Sequence, residues 1–191
     1  MDPLTARLPD RAPRRWRRAA LAAVATACVS PRTEVVVSIQ TDLATGPGQA
    51  LQSLAIAVRR SGPSGELRLQ NHVVLGTESA AWTLPSTIGL LPRDGDTSGA
   101  VWVEVAGCPT RASCDDATAT VTQRAVVSYV RGETLSIDLL LAARCVGVRC
   151  PSDQTCSAMT GLCVTAARQS ELRAFSPDAG AVTSVDAQPD V

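Results

Sequence analysis

The stretch Ala100 to Ala106, AVWVEVA, sets the fold class. Val101, Val103 and Val105 fall on one side of an extended chain and Trp102 and Glu104 on the other, the period of two expected of a strand with one face in a core. Working outward, the same alternation recurs. Toward the C-terminus, Thr118 to Val130 is strand-like, Arg131-Gly-Glu133 turns it, and Thr134 to Ala142 follows. Toward the N-terminus, Leu67, Leu69, Val73 and Leu75 share a face, with Arg68, Gln70 and His72 opposite. Leu54, Ile56 and Val58 alternate before them, and Val35, Val37 and Ile39 do so within Glu34 to Leu43. Gly46-Pro-Gly48 and Ser61-Gly-Pro-Ser-Gly65 supply turns between these runs. Trp82 to Pro85 and Ile88 to Pro92 are short apolar pieces cut by prolines, suited to an edge strand or a crossing between sheets.

About seven strands at roughly ten-residue spacing predict an all-β, antiparallel sandwich, immunoglobulin-like or transthyretin-like, over residues 34–143. An eight-stranded barrel would leave the same trace. Aromatic residues make up only 3% of the chain, so the core must rest on Val, Leu and Ile, which favour strands.

Ahead of the sandwich, Arg14 to Cys28 reads RRWRRAALAAVATAC: four arginines around Trp16, a short apolar run, then a cysteine. This is the order of charge, apolar core and cleavage site in an export signal. The run Ala19 to Ala27 is far short of the roughly 20 residues that a membrane-spanning helix needs. Residues 1–27 are therefore expected to be a signal peptide, with residues 28–33 a spacer. Ala25, Thr26, Ala27 and Cys28 resemble the bacterial lipoprotein signal, which implies lipid modification of Cys28 and a membrane anchor. The same residues also read as an A-x-A site for an ordinary secretory peptidase, which would leave the protein secreted. The chain has 7 cysteines, and committing Cys28 to a thioether leaves an even set, Cys108, Cys114, Cys145, Cys150, Cys156 and Cys163, for disulfides outside the cytoplasm.

Arginine supplies every basic residue, 18 against 18 acids. Removing residues 1–27 takes away six arginines and two acids, so 12 arginines face 16 acids and the balance is −4. A mildly acidic surface excludes nucleic acid as the expected partner, which would want a basic face.

Residues 144–164 are a different material, with four cysteines in CVGVRCPSDQTCSAMTGLC and few core formers. So small a segment needs staples. The C-P-x-x-x-x-C run at Cys150 to Cys156 and the T-G-x-C ending at Cys163 resemble part of an EGF-like module. With four cysteines in place of six, the resemblance implies no ligand or calcium site. Four cysteines allow three pairings; the interleaved one, Cys145 with Cys156 and Cys150 with Cys163, is favoured, leaving Cys108 to pair with Cys114. Residues 165–191 lose all pattern toward SPDAGAVTSVDAQPDV and are expected to be a disordered tail. Signal, Val-rich sandwich and C-terminal cysteine cluster together are similar to surface lipoproteins of myxobacterial-type proteomes.

Four constellations could carry chemistry. Asp94-Gly-Asp-Thr-Ser-Gly99 matches the first half of a calcium loop, with oxygen ligands at Asp94, Asp96 and Ser98 and the glycine for the bend. Position 105, where the bidentate Glu should fall, is Val, so a polar turn is the expectation. Trp102 beside Glu104 could stack a sugar ring and bind its hydroxyls; a Trp buried in the sandwich is expected instead, because sugar platforms use several aromatics. His72, the single histidine, excludes multi-histidine metal centres and has no nucleophile turn to serve, so it reads as a surface residue. Asp115-Asp116 reads as a solvated turn. The cysteine spacings lack the C-x2-C pairs of zinc sites. No cofactor is implied.

The chain is thus expected to be an envelope-anchored outer membrane lipoprotein facing the periplasm or the cell surface. It would be a non-enzymatic binding module for a protein or glycan partner. A hydrolase acting on envelope polymer and a structural spacer are the alternatives.

Overall fold

The structure, a computed structural model, describes residues 32–79 and 81–176. The chain is all-β. Strands β1 (Glu34–Thr41), β2 (Ser53–Arg60), β3 (Leu67–Val74), β4 (Ser86–Leu90), β5 (Ala100–Cys108), β6 (Val121–Ser128) and β7 (Thr134–Leu141) build the sandwich. Beyond it come a hairpin of β8 (Gln154–Cys156) and β9 (Cys163–Thr165), and the short β10 (Arg173–Ala174).

Two four-stranded sheets face one another, in the orders β10-β7-β1-β4 and β3-β2-β5-β6. Every pairing within them is antiparallel except β1 with β7, which run parallel with Val35 opposite Leu135 and Leu139 opposite Ile39. An immunoglobulin constant-type sandwich divides its second and third strands between sheets. Here β2 and β3 are hydrogen-bonded neighbours, so the sandwich does not follow the immunoglobulin constant-type order.

The alternation in the sequence becomes the core. Val35, Val37 and Ile39 from β1, Leu54, Ile56 and Val58 from β2, Val101, Val103 and Val105 from β5, and Ile137, Leu139 and Leu141 from β7 meet between the sheets. Burial of each such side chain contributes roughly 1.5–3 kcal/mol.

Sheet edges expose unpaired backbone, and each edge here is managed. The edge strand β4 is short and sits between Pro85 and Pro92. One end of β3 is irregular against Arg59, and Trp82 donates its N–H to the Val74 carbonyl at the other. The β7 edge is covered by β10, and the β6 edge by residues 153–169. Residues 165–176, expected as tail, therefore belong to the fold. They find unpaired backbone on two strands, which a reading of composition could not foresee: the Val126 N–H donates to the Ala166 carbonyl, and Arg173 and Ala174 pair with Ser136 and Leu135. The expected signal peptide, Cys28 and residues 177–191 lie outside the described residues.

Candidate functional site

The three disulfides join Cys108 to Cys114, Cys145 to Cys156 and Cys150 to Cys163. The last two interleave, closing the hairpin β8-β9 and the turn Ala143–Cys145 into one stapled segment. Its own apolar burial is slight. Cys145 and Cys156 join the main core, Val148, Cys150 and Ala158 lie partly buried against it, and the remaining burial in the segment is Thr155. The segment depends on the sandwich for a partner.

It takes that partner in β6. The Arg124 N–H donates to Thr155 Oγ1 (2.9 Å), the Val126 N–H to Ala166 O (2.7 Å) and the Ser128 N–H to Gln169 Oε1 (2.6 Å). Gln123, buried, donates from Nε2 to the Cys156 carbonyl (2.9 Å) and accepts at Oε1 from Thr155 Oγ1 (2.9 Å).

On the other face of β6, the Arg124 side chain is only 5% exposed. Its Nε donates to Glu104 Oε2 (2.5 Å) and its Nη2 meets Asp116 Oδ1 (2.9 Å). Its Nη1 lies within 3.2–3.4 Å of the Cys150, Pro151 and Gln154 carbonyls. A buried guanidinium is tolerable only when paired and hydrogen-bonded in this way. Arg124 thus clamps the stapled segment to the sheet. Beside it, Asp116, Thr122, Val148, Arg149 and Cys150 complete a crevice of about 70 Å³, room for water rather than for an organic ligand.

This burial overturns the sugar platform at Trp102 and Glu104. Trp102 is 3% exposed, flanked in register by Arg59 and Val126, and Glu104 is spent on Arg124. The Trp102 Nε1 is buried without a hydrogen-bond partner.

The suggested calcium ligands do not converge. Asp96 Oδ1 accepts from the Ser98 N–H and Oγ, its Oδ2 faces Arg60 Nη2 at 3.0 Å, and Asp94 points to solvent beside Arg93. The Ser98 hydrogen bonds hold the Asp96 carboxyl below the usual range. Among the described residues no group of three or more His, Cys, Asp or Glu could hold a metal ion. His72 is exposed on β3. Asp115 closes its turn through Thr118, which lowers its pKa, while Asp116 reaches Arg124 and Thr122.

Among its exposed residues, which include Arg144, Arg149, Asp153 and Thr160, the stapled segment offers large apolar side chains to solvent. Met159 is 83% exposed and Leu162 67%, both in the tight turn where the Ser157 N–H bonds to Leu162 O; Val164 and Val146 are exposed nearby in the chain. Arg144 Nη1 donates to the Met159 carbonyl, and the Arg144 side chain occupies the space a side chain at Gly161 would need.

The sequence reading missed the clamp. Its one signal was polar Gln123-Arg124 interrupting an apolar run in Thr118 to Val130, where a strand buried on one face should place a single polar residue at a time. No protein family, curated protein or solved structure matches this chain.

Proposed function

We propose that the protein is an envelope-anchored lipoprotein that works as a non-enzymatic interaction module, engaging a protein partner through the apolar tip Met159 and Leu162. The observation carrying this reading is the exposure of two large apolar side chains on a turn that two disulfides and Arg144 hold in place. An exposed apolar group on a rigid support marks a contact surface, because little ordering entropy is lost when it binds.

The topology supports the orientation. From Cys28 to Glu34 the chain reaches at most roughly 20 Å, so a lipid on Cys28 would sit near the start of β1. The parallel partner β7 ends beside the far end of β1, and the stapled segment begins directly after it. The tip then faces away from the anchoring membrane, about 26 Å along the strand. Three disulfides favour an oxidising compartment, as an exported protein would meet.

A photo-activated cross-linker placed at Thr160 in the native envelope tests the reading. A discrete adduct that disappears in Met159→Asp and Leu162→Asp variants supports it. No adduct, or one indifferent to both substitutions, sinks it. Intact mass of the extracted protein tests the anchor separately, by whether the chain begins at an acylated Cys28.

A further inference from the structure

The β6 edge and the stapled segment carry an inference that is independent of anchor and partner. We propose that residues 143–169 form a redox-operated strap: the accessible Cys150–Cys163 disulfide holds the β6 edge closed, and its reduction uncovers that edge while the buried Cys145–Cys156 bridge and the sandwich stay intact.

The argument starts from backbone direction. In an antiparallel strand, successive residues point their N–H and C=O groups to opposite sides. The amides of Arg124, Val126 and Ser128 turn outward and are taken by Thr155, Ala166 and Gln169. Those of Gln123, Ala125 and Val127 consequently turn inward to β5, where Ala125 pairs with Val103 and Val127 with Val101. One strand is thus stitched on one side by the sheet and on the other by the strap.

The two sides differ in what maintains them. The β5 side belongs to a core of Val, Leu and Ile from both sheets. In the strap Cys145, Thr155, Cys156 and Ala166 are buried and Val148, Cys150 and Ala158 partly so, and its closed form rests on the loops closed by the disulfides together with the Arg124 contacts to its carbonyls. Cys145 and Cys156 are buried, whereas Cys150 and Cys163 are partly exposed, and the Cys150–Cys163 bridge is the accessible one.

The chemistry is thiol–disulfide exchange with a small dithiol. One thiolate of the dithiol attacks a sulfur of the Cys150–Cys163 bridge, and the other cysteine leaves as a thiolate that takes a proton. The second thiol of the reductant, losing its proton to the cysteine still held, then resolves the mixed disulfide. Two electrons and two protons pass to the protein, and the dithiol becomes its own disulfide. With that staple open, the hydrogen bonds on the outer side of β6 lose their fixed acceptors. An uncovered strand edge accepts another strand, so redox state would control whether this one is available.

Residue-resolved amide hydrogen exchange tests the strap, on the full chain as purified, with graded dithiothreitol and in a Cys150→Ser, Cys163→Ser double variant. The expected result is alternation: exchange at Arg124, Val126 and Ser128 rises by at least about tenfold, while Gln123, Ala125 and Val127 keep their protection. The proposal is overturned by six unchanged amides, which would mean the strap holds without its staple. It is equally overturned by six amides accelerating together, which would mean the disulfides support the whole fold rather than a separable cover.

Discussion

Arg124 Nε lies 2.5 Å from Glu104 Oε2, directly across the β5-β6 ladder in which the two residues are register partners. The pair is largely withdrawn from water, with side-chain exposures of 5% and 18%. Removing one partner leaves the other charge stranded, which costs more than the pair gains by existing. Arg124→Ala is expected to lower unfolding stability by about 3–5 kcal/mol, because it strands Glu104 and releases three strap carbonyls. Glu104→Gln should cost less, about 2 kcal/mol, since Asp116 still faces the guanidinium. Urea unfolding checks both. Equal losses from the two variants would show that Arg124 serves only Glu104 and does not hold the strap.

Acid should destabilise the fold through its turns. Asp96 is held below its ordinary pKa by the Ser98 hydrogen bonds first and by Arg60 to a lesser degree; Asp115 is lowered by Thr118. A carboxyl with a depressed folded-state pKa contributes stability above its unfolded value, about 3.9, and loses it as pH falls through the folded value. Melting temperature should therefore be flat from neutral pH to about pH 5 and decline below pH 4. Ser98→Ala should flatten the acid limb. Tyr129 acts at the other end, since desolvation raises its pKa. Its contribution is complete below about pH 10, the unfolded value, and is lost as pH rises through the folded one. Tyr129→Phe should remove that alkaline loss, and an unchanged alkaline limb would place its cause elsewhere.

The turn joining β2 to β3 depends on Gly65. A Cβ there would lie 1.6 Å from the Arg60 carbonyl oxygen, and backbone cannot yield as a flexible side chain can. Gly65→Ala is expected to cost at least about 1–3 kcal/mol and to disturb the Arg60 to Glu66 closure. Gly48, with open space around it, is strained by a side chain only through its φ of +73°. Gly48→Ala should therefore cost about 1 kcal/mol. Thermal unfolding of the two variants compares them; equal shifts in melting temperature would refute the steric argument.

Much of the sandwich was legible because alternation is a direct record of burial. Val101, Val103 and Val105 announced the face that meets the second sheet, and the prolines around β4 allowed an edge strand or a crossing between sheets, of which β4 is the edge. The parallel pairing of β1 with β7 was not legible, since strand order is decided by long-range closure and leaves no mark within either strand. The strap was half legible. The cysteines declared a stapled segment, but its docking rests on backbone groups of β6 and on carbonyls of Cys150, Pro151 and Gln154, which every residue type carries alike. At Asp94 to Gly99, read as a polar turn, the Asp96 carboxyl is taken by Arg60 and Ser98 while Asp94 stands in solvent beside Arg93.

Trp102 offers the sharpest separation of packing from hydrogen bonding. Its ring is buried on the face of β5 that carries Glu104, and its Nε1 finds no acceptor. Leaving a buried donor unpaired costs about 1–3 kcal/mol, and truncating a buried aromatic to alanine costs about 3–5 kcal/mol. Trp102→Phe loses part of the ring but also removes the unpaired donor, so the two effects oppose. The expected result is a change within about 1 kcal/mol of wild type for Trp102→Phe. A loss of about 3–5 kcal/mol is expected for Trp102→Ala. Chemical unfolding measures both. Were Trp102→Phe to cost as much as Trp102→Ala, the indole N–H would have to be making a favourable interaction, and the account of this face as apolar packing flanked by an ion pair would be wrong.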